Sequence, residues 1–486
     1  MRCNELKALG LDVGTASVKA ALLDSEDGLV DYSAVAMSDL NKRPMPSYAE
    51  RDMTEVWERV VRVIKSLKDP RGIEAISVDG TSGTVVAIDA NGNPLFPALL
   101  YGDKRAHAEA DEILRLSESA RGYQTLLPVD ASLVLPKILW LRKNLKNFGE
   151  VSAILHESDF VVKKVCGTII TSPNVAGKSH IDVRSRSYLK GVYEDLSVPL
   201  SLMPPVKEVG EIVGHVSESA SLETGLPRGI PVVNGVTDAT AGDIATGVLE
   251  TGQLNATMGT TLVVHAVVDK LIPDKMGRIY YKTFLGSTYI AGGATDAGTL
   301  PLDAVSNLLR LNLQELDALA AKVPPGCEGL LAQPQWTGTR VPSYNPNVRG
   351  FFTGLTAKNC TPGHIFRSLL EGNAAVLADV IDIVEDVTEV PIKEIRACGG
   401  GSRSDVQNQI IADTAGLDVL ALEKSEAAVG SALLAACSID KRQSIIQLAA
   451  RVVKPRRRYS PHGDLAETYS RQRDRLKQLT RGFYGE

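Results

Sequence analysis

ALGLDVGTASVKAALLD, Ala8 to Asp24, interrupts an apolar segment with a carboxylate, a glycine and a hydroxyl. Ala8–Val13 and Ser17–Leu23 are apolar runs of strand length, and the Gly-Thr-Ala between them predicts a β-hairpin. Glycine lets the backbone approach an anion closely, and threonine adds a hydroxyl donor. The turn is therefore either an ordinary hairpin or a loop that holds a phosphate group.

A second hairpin pattern follows about 245 residues later, in GQLNATMGTTLVVHAVV, Gly252–Val268. Its turn, Met258–Thr261, repeats the order of strand, glycine, threonine and strand. Two related hairpins at this distance predict two similar halves. We therefore expect an N-terminal domain over 1–248 and a C-terminal domain over 249–486.

Length, composition and charge argue against several classes of protein. The chain has 486 residues, too many for one hydrophobic core, and its net charge of −5 argues against nucleic-acid binding. No apolar run approaches the ~18 residues of a membrane span, and no signal peptide is evident. The six cysteines are widely spaced, without a CxxC pair, which indicates reduced thiols in the cytoplasm.

Hydrophobic periodicity predicts further elements along the chain. The segments with helical spacing are Thr54–Lys68, Thr237–Thr246, Leu313–Lys322, Ile365–Val387 and Ser404–Ala415. The segments of strand character are Ile73–Val78, Thr84–Ile88, part of Gly225–Val236, Glu394–Ala397 and Asp418–Ala421. Asp89–Gly92 is a hairpin turn signal.

Three segments are similar to known motifs but do not match them at a required position. NVAGKS, Asn174–Ser179, lacks the first glycine of a P-loop, because Ser172 stands at that position. GTSGT, Gly80–Thr84, does not fit the GxSxG nucleophile elbow. GGGSRS, Gly399–Ser404, is not a GxGxxG fingerprint, so it is either a packing turn or a nucleotide-binding turn.

Phosphoryl transfer needs a phosphate cradle, a carboxylate for hydrated magnesium and a carboxylate base for the acceptor hydroxyl. The two Gly-Thr turns can supply the cradle, and Asp12 can orient the magnesium. Asp238 follows a predicted strand at the start of a predicted helix, where the helix dipole favours the ionised form. Asp238 is therefore a candidate base, although a helix N-cap is the alternative role for an aspartate there.

Seven segments, in order, resemble the FGGY family of carbohydrate kinases, in the actin/hexokinase-like ATPase superfamily. They are LGLDVGTASVKAALLD, ISVDGTSGTVVAIDANGNPLFPALLYGDKRA, PKILWLRKN, VVNGVTDATAGDIATGV, NATMGTT, GTRVPSYNPNVRGFFTGL with HIFRSLLEG, and CGGGSRSDVQNQIIADTAGLDV followed by EAAVGSALLAA. The resemblance covers essentially the whole chain. It implies an α/β fold of two ribonuclease-H-like domains with a cleft between them, and the pentulose kinase branch of the family.

The resemblance also implies roles for individual residues. Asp12 would orient Mg²⁺, and Asp238 would accept the proton of a sugar hydroxyl. The phosphates of ATP would be held by Gly14, Thr15, Gly259, Thr260 and Thr261. The adenosine pocket would be lined by Gly400, Gly401, Ser402 and Gln409.

The identity of the sugar depends on the segment Thr81-Ser82-Gly83. In the family that this chain resembles, many xylulose kinases carry Gln-Met-His at these positions. Small residues at this position are similar to those of D-ribulose kinases in the family. Asp103, in LLYGDKR, matches a loop of xylulose kinases and would accept hydrogen bonds from sugar hydroxyls; an exposed loop carboxylate is its alternative role. The resemblance thus implies a ketopentose, D-ribulose or D-xylulose, with a slight preference for D-ribulose, and makes Thr81, Ser82, Gly83, Asp103 and Asp238 the sugar-binding residues.

Other functions stay open at this point. A pentitol or glycerol is an alternative substrate, although the Arg-Glu pair of glycerol kinases is absent near Thr81. An actin-like ATPase and an inactive sugar sensor are alternatives of a different class. The expected partners are a small-molecule sugar and ATP, without nucleic acid or membrane, and a homodimer is left open.

Overall fold

The computed structural model describes residues 6–123, 127–423 and 425–485, and the chain forms two compact units. The first unit comprises Met1–Leu249, Lys282–Ser287 and Glu426–Val453. The second unit comprises Glu250–Tyr281, Thr288–Ser425 and Lys454–Glu486. The sequence-based division assigned residues 282–287 and 426–453 to the C-terminal domain, whereas in the structure they pack with the first unit.

A six-stranded sheet in the order β11-β12-β5-β1-β2-β3 forms the centre of the first unit. Its strands are β1 Lys7–Val13, β2 Ser17–Asp24, β3 Gly28–Ala36, β5 Ala75–Gly80, β11 Ile212–His215 and β12 Pro231–Val233. Short paired strands beside it are β4 Glu50–Arg51, β6 Val86–Ile88, β7 Ala98–Leu99, β8 Ala153–Leu155, β9 Ile181–Asp182 and β10 Ser187–Tyr188. The helices of this unit are α1 Met53–Lys65, α2 His107–Leu116, α3 Glu118–Tyr123, α4 Val134–Asn144, α5 Glu157–Cys166, α6 Lys190–Asp195, α7 Glu218–Thr224, α8 Asp238–Ala245, α13 Ala427–Ile439 and α14 Ile445–Val452.

A seven-stranded sheet in the order β15-β16-β14-β13-β19-β20-β21 belongs to the second half of the chain. Its strands are β13 Gln253–Met258, β14 Leu262–Val268, β15 Tyr280–Thr283, β16 Tyr289–Ala294, β19 Glu394–Cys398, β20 Val419–Leu422 and β21 Pro455–Tyr459, with β17 Leu331–Ala332 and β18 Phe352–Thr353 paired separately. The helices here are α9 Leu300–Leu309, α10 Leu313–Ala320, α11 Pro362–Thr388, α12 Asp405–Ala415 and α15 Ala466–Tyr484.

The two sheets share one topology over five strands. In the first, β3, β2 and β1 are antiparallel neighbours, and β5 and β12 continue in parallel with β1. In the second, β16, β14 and β13 are antiparallel, and β19 and β20 continue in parallel with β13. This is the ribonuclease-H-like strand order in both halves, so the prediction made from two Gly-Thr hairpins is confirmed.

Most predicted elements occur with boundaries shifted by one to three residues. The amphipathic helix predicted over 54–68 is α1, whose apolar face packs on the central sheet; the Asp52 side chain caps it by accepting from the Thr54 N–H at 2.7 Å. The strand predicted over 84–88 is shorter, at Val86–Ile88, because Thr84 lies outside any strand and Val85 forms only an isolated bridge with Leu99. The helices α2–α7, α9 and α13–α15 were not predicted.

Helix α13 packs against the first sheet and against α8 at backbone distance. A Cβ at Gly10 of β1 would overlap the carbonyl oxygen of Ala428, and a Cβ at Gly430 would overlap that of Ala241. Glycine is therefore required on both sides of this helix. The approach fixes α8, whose first residue is Asp238, relative to β1, which carries Asp12.

We expect Gly430→Ala to lower the free energy of unfolding by about 1–3 kcal/mol, because the new methyl group forces α13 away from α8. Gly242→Ala, within α8, is the matched control, since nothing lies within 4 Å of its Cβ position. The control should raise stability by about 0.4–1 kcal/mol, through the lower chain entropy of alanine. Urea unfolding of both variants checks the prediction, and changes of the same sign would contradict it.

The cysteines, the helices and the basic run near the C-terminus can be described for the residues that the structure covers. No helix among the described residues has the length and apolar character needed to cross a bilayer. Five cysteines, Cys166, Cys327, Cys360, Cys398 and Cys437, are free thiols, and Cys3 lies outside the described residues. The basic run Arg456–Arg458 lies on β21, where it pairs with Asp405 and Asp418.

Candidate active site

The first predicted phosphate loop is a tight turn at the carboxyl end of β1. The Gly14 N–H donates to the Ser17 carbonyl at 3.1 Å, and Thr15 is exposed at the tip of the turn. Asp12 precedes this turn and is 4% exposed. Because β1 and β5 are parallel, their carboxyl ends meet at the edge where ligands bind in open α/β sheets.

Lys19 pairs with Asp12 across the hairpin, and sequence analysis missed it. The two residues are register partners on β1 and β2, and Lys19 Nζ lies 3.3 Å from Asp12 Oδ2 and 2.9 Å from Glu426 Oε2. Burial by itself would lower the pKa of Lys19, but Asp12 and Glu426 raise it above its usual value. Lys19 is therefore a fixed positive charge beside the predicted phosphate loop.

Asp79 is a second buried carboxyl group beside Asp12. It is the register partner of Asp12 on β5, it is fully buried, and its Oδ2 accepts from Ser431 Oγ of α13 at 2.5 Å. Burial, followed by the charge of Asp12, raises the pKa of Asp79 well above its usual range. Burial also raises the pKa of Asp12, although Lys19 opposes this.

Asp238 is the first residue of α8, and Thr237 occupies the N-cap position. Among the described residues, Asp238 Oδ1 accepts only the adjacent Ala239 N–H, at 2.7 Å, so the alternative role as helix cap is not seen. Loss of hydration and the charge of Asp12 raise the pKa of Asp238 to about 6, against the Ala239 hydrogen bond and the charges of Lys282 and Lys178. At pH 7 the carboxylate is still mostly ionised, and its pKa is close to the value that suits a general base.

The loop Thr81-Ser82-Gly83 begins directly after β5. A parallel bridge between Gly80 and Thr237 brings this loop next to Asp238. The hydroxyl of Thr81 is buried and has no hydrogen-bond partner, which makes it available to a hydroxylated ligand. Gly83 adopts φ +82°, a conformation that L side chains rarely adopt.

Asp103 is fully buried, so its alternative role as an exposed loop carboxylate is wrong. Its oxygens accept from the Ala49 N–H at 2.6 Å and from Arg105 Nε at 2.9 Å. Arg105 in turn pairs with Glu50 at 2.6 Å and lies over the ring of Tyr48. The carboxylate is thus held from several sides within the loop that follows β7.

Lys178, from the rejected NVAGKS motif, connects the predicted sugar-binding groups. No P-loop is present there, because Val175–Lys178 is a 3₁₀ turn. The Lys178 side chain approaches the Cβ position of Gly83 to 2.8 Å and lies 4.9 Å from the ring centroid of Tyr101. Its charge also lowers the pKa of Asp238, so the loops after β5 and β7 and the start of α8 surround one region.

In the second unit, the structure brings the second predicted phosphate loop together with the predicted adenosine glycines. The Gly259 N–H donates to the Thr261 carbonyl at 3.1 Å, and Leu300 at the start of α9 donates to Thr260 at 3.4 Å. The Cβ position of Gly401 lies 2.9 Å from Met258 Cβ, while the Cβ position of Gly400 is open. Ser402 is buried and donates to the Gly399 carbonyl at 2.8 Å.

Two parts of the predicted adenosine motif lie elsewhere. Gln409 is on α12, but its amide nitrogen donates to Asp413 and to the Ser460 carbonyl, both at 2.9 Å, and contacts His462 at 3.1 Å. The segment EAAVGSALLAA forms α13, which packs in the first unit, where Glu426 and Ser431 contact Lys19 and Asp79. The sequence-based assignment of this segment to the C-terminal domain is therefore wrong.

The donor set at Asp12 fits hydrated magnesium. Asp12 Oδ1 is buried and has no hydrogen-bond partner among the described residues, so it can accept from a metal-bound water. Mg²⁺ keeps several waters and needs only one or two protein carboxylates. The described residues contain no cluster of three or more His, Cys, Asp or Glu that could enclose a metal.

The site residues that the sequence analysis missed differ in how well the sequence could have indicated them. Asp79 ends an apolar strand before a glycine, in the pattern that selected Asp12, so the same reasoning could have found it. Lys19 is a charge within the apolar strand SVKAALLD, where period-two alternation puts it on the face of Ser17. The buried ion pair Arg51–Glu157, which contacts the first phosphate loop, gave no local signal because its partners are 106 residues apart.

Two ribonuclease-H-like sheets with a Gly-Thr turn in each half place the chain in the actin/hexokinase-like fold class, and the relatives it matches are named as kinases. The family models describe it further: the model "FGGY family of carbohydrate kinases, N-terminal domain" matches residues 7–245, and the model for the C-terminal domain matches residues 254–439. The chain belongs to the FGGY family of carbohydrate kinases. The resemblance stated from its motifs is therefore confirmed.

Individual relatives leave the sugar open. The chain is 26% identical to a gluconokinase of Bacillus subtilis, over 95% of this chain and 93% of that protein. It is equally 26% identical to a xylulose kinase of Escherichia coli, over 97% and 99%. The crystal structure of a xylulose kinase from Rhodospirillum rubrum is similar with a TM-score of 0.90, at 26% identity and over 99% and 100% of the two chains.

Proposed function

We propose that this carbohydrate kinase transfers the γ-phosphoryl group of ATP to a hydroxyl of a ketopentose, D-ribulose or D-xylulose, and forms the 5-phosphate. The observation that carries the proposal is the position of the Asp238 carboxylate, which accepts one hydrogen bond from the described residues and lies next to the Thr81–Gly83 loop. A sugar held by that loop would present a hydroxyl to a base of suitable pKa.

The proposed reaction is a single displacement at phosphorus. The oxygen of the sugar hydroxyl forms a bond to the γ-phosphorus, the bond from that phosphorus to the β–γ bridging oxygen breaks, and ADP leaves. Asp238 takes the hydroxyl proton, and Lys19 offsets negative charge at the first phosphate loop. Magnesium bound with ATP would neutralise phosphate charge, and Asp12 would orient its water shell.

Several contacts support the assignment of binding roles within this proposal. Gly14 and Thr15, and in the second unit Gly259, Thr260 and Thr261, offer the backbone and hydroxyl donors that phosphates require. Gly400, Gly401 and Ser402 lie against the second loop and suit the nucleotide. Gln409 is engaged by its neighbours, so we assign it to the support of α12. The free thiols support the cytoplasm as the compartment.

For the sugar, small side chains and an unpaired buried hydroxyl at Thr81 support a pentulose whose hydroxyl group donates to Thr81. Ser82 and the Gly83 backbone complete the floor of the proposed site. Asp103, held by Ala49 and Arg105, acts in this proposal by shaping the loop with Tyr101. D-ribulose and D-xylulose differ in the configuration of one hydroxyl, and the small floor favours D-ribulose slightly.

A sugar acid is the second candidate substrate. Lys178 and Lys282 both act on Asp238, and two cationic side chains would suit a substrate carboxylate. The similarity to a gluconokinase points to the same chemistry. D-gluconate therefore belongs in the first assay beside the pentuloses.

The test is coupled ADP release with ATP and Mg²⁺ across D-ribulose, D-xylulose, L-ribulose, L-xylulose, ribitol, D-arabitol, glycerol and D-gluconate. We expect one ketopentose to give kcat/KM far above the others. A marked preference for D-gluconate, a pentitol or glycerol would overturn the proposed substrate. Sugar-independent ATP hydrolysis would support an actin-like ATPase, and sugar binding without turnover would support a sensor.

Lys19→Met should lower kcat about 10²-fold, because it removes a fixed positive charge beside the phosphate loop while the sugar loop stays intact. The KM for the sugar should change little. Lys7→Met is the matched control at the opposite end of β1, where Lys7 pairs with the largely exposed Asp69. Steady-state kinetics of both variants check the prediction, and a Lys19→Met enzyme with normal kcat would contradict it.

A further inference from the structure

Lys137 is a fully buried lysine on α4 whose ammonium group is hydrogen-bonded by backbone carbonyls. A buried ammonium group is costly unless it is paired or hydrogen-bonded. No carboxylate among the described residues lies within ion-pair distance of its Nζ. The ammonium instead donates to three backbone carbonyls, those of Gly83 at 2.6 Å, Leu100 at 2.9 Å and Ser132 at 3.5 Å.

The three carbonyls belong to three separate segments around the proposed sugar site. Gly83 ends the Thr81–Gly83 loop, Leu100 leads into the Tyr101–Asp103 loop, and Ser132 lies in the turn before α4. The first and third segments are in close contact, since the Cβ position of Gly83 lies 2.5 Å from the Ser132 carbonyl oxygen. One side chain therefore connects both loops that we assign to the sugar.

The chemistry of lysine suits this connection. Its ammonium group has three donors around one nitrogen, which can serve three carbonyls that converge from different directions. A methionine of similar length would leave these carbonyls without a donor. Burial, together with the charge of Lys178, lowers the pKa of Lys137 to about 7. The neutral amine still has two N–H donors, so the links to Gly83 and Leu100 persist after deprotonation.

We propose that Lys137 is a positioning residue that fixes the Thr81–Gly83 and Tyr101–Asp103 loops relative to each other and thereby sets the affinity for the sugar. The inference rests on the proposed function, because the two loops bind the sugar only in that proposal. Its structural part, the coupling of the two loops through one ammonium group, can be tested without any substrate.

The experiment compares Lys137→Met with the unmodified chain by hydrogen exchange and by steady-state kinetics. Exchange of peptides covering residues 80–86 and 98–104 should become about tenfold faster, because both loops lose a strong hydrogen bond. The KM for the best sugar of the panel should rise about tenfold or more. The KM for ATP and the ATP hydrolysis without sugar should stay unchanged.

Leu141→Ala is the matched control, since Leu141 is buried one turn further along α4 and does not donate to these loops. It should lower the melting temperature without selective exchange in the two loops and without a change in the KM for sugar. Equal effects of the two variants, or unchanged exchange in Lys137→Met, would overturn the proposal. If Lys137→Met does not fold, Lys137→Gln, which keeps two N–H donors, takes its place and should retain part of the affinity.

The outcomes also separate this inference from the proposed function. If the unmodified enzyme shows no sugar-dependent turnover, the proposed function fails, while the exchange of the two loops still decides the role of Lys137. If turnover is normal in the unmodified enzyme and the sugar KM of Lys137→Met does not rise, only the positioning role fails.

Discussion

Asp238→Asn is expected to lower kcat with the best sugar by about 10²–10⁴-fold, the usual contribution of a positioned general base. Asparagine keeps the size of the side chain but cannot accept the hydroxyl proton. The single hydrogen bond from the Ala239 N–H to Asp238 can be made by an amide oxygen as well. Sugar binding should therefore stay nearly unchanged, which calorimetric titration measures beside the coupled ADP assay.

Asp89→Asn serves as the control for this substitution, because Asp89 lies in an exposed hairpin turn where asparagine is equally suited. It should leave both kcat and sugar affinity as they are. An Asp238→Asn enzyme with normal turnover would contradict the proposed mechanism. Equal losses of turnover and sugar affinity would instead make Asp238 a binding residue.

The same carboxylate predicts a pH dependence. The pKa of Asp238 is raised to about 6, chiefly by loss of hydration and then by Asp12. Because a base must be ionised to accept a proton, kcat/KM should fall as the pH decreases through about 6. In Asp238→Asn the residual activity should lack this acid limb, and a pH profile of both proteins compares them.

Whether the sequence could predict a part of this site depends on how far apart the contacting residues are in the chain. Asp12, Gly14 and Thr15 were predicted because strand, turn and carboxylate are adjacent in the chain, and the repeated hairpin predicted the duplicated sheet. Asp238 could be predicted only as one of two roles; the structure places Thr237 at the N-cap position, and the role of Asp238 as a base stays a prediction. Local pattern and propensity therefore account for the turns and for the two similar halves, whereas the ribonuclease-H-like fold was implied by the family resemblance.

The remaining parts depend on contacts over long sequence distances. Ser431 donates to Asp79 from 352 residues away, and Lys19 contacts Glu426 across 407 residues. These contacts exist because α13, from late in the chain, packs on the first sheet through Gly10 and Gly430. A single sequence shows the small residues of α13 but not their partner, so the segment was assigned to the adenosine motif of the other half.

Arg51→Met is expected to lower the free energy of unfolding at pH 8 by about 3–5 kcal/mol, because it leaves the charge of Glu157 buried without a partner. The two side chains are fully buried, and Arg51 Nη2 lies 3.0 Å from Glu157 Oε1. Burial raises the pKa of Glu157 to about 7, although Arg51 lowers it. Urea unfolding of the full chain at pH 8 and pH 5 measures the effect.

The effect of Arg51→Met on stability should depend on pH, and the direction of this dependence follows from the carboxyl group of Glu157. Its pKa in the folded protein exceeds the usual value of 4.5, so its contribution to stability is complete at low pH and is lost as the pH rises through about 7. Without Arg51 the pKa of Glu157 rises further, and the folded variant binds a proton at pH 5. The loss of stability in Arg51→Met should therefore be smaller at pH 5 than at pH 8.

Two further variants make the prediction specific to the buried pair. Arg59→Met removes an arginine that pairs with the largely exposed Asp39 and should cost less than about 1 kcal/mol. The double variant Arg51→Met/Glu157→Gln should recover much of the loss at pH 8, since it removes the uncompensated charge. A cost of Arg51→Met that is equal at both pH values, or a double variant no more stable than the single one, would contradict the argument.

The Arg51–Glu157 pair also contacts the first predicted phosphate loop, which is a reason for a buried charge at this position. Arg51 Nη1 donates to the Gly14 carbonyl at 3.2 Å, so the same guanidinium that neutralises Glu157 holds the backbone of the first phosphate loop. Replacing both partners by neutral side chains can restore stability but cannot restore this hydrogen bond. We therefore expect the double variant to fold like the unmodified protein while its KM for ATP stays raised, which kinetics at pH 8 can separate from the recovery in urea.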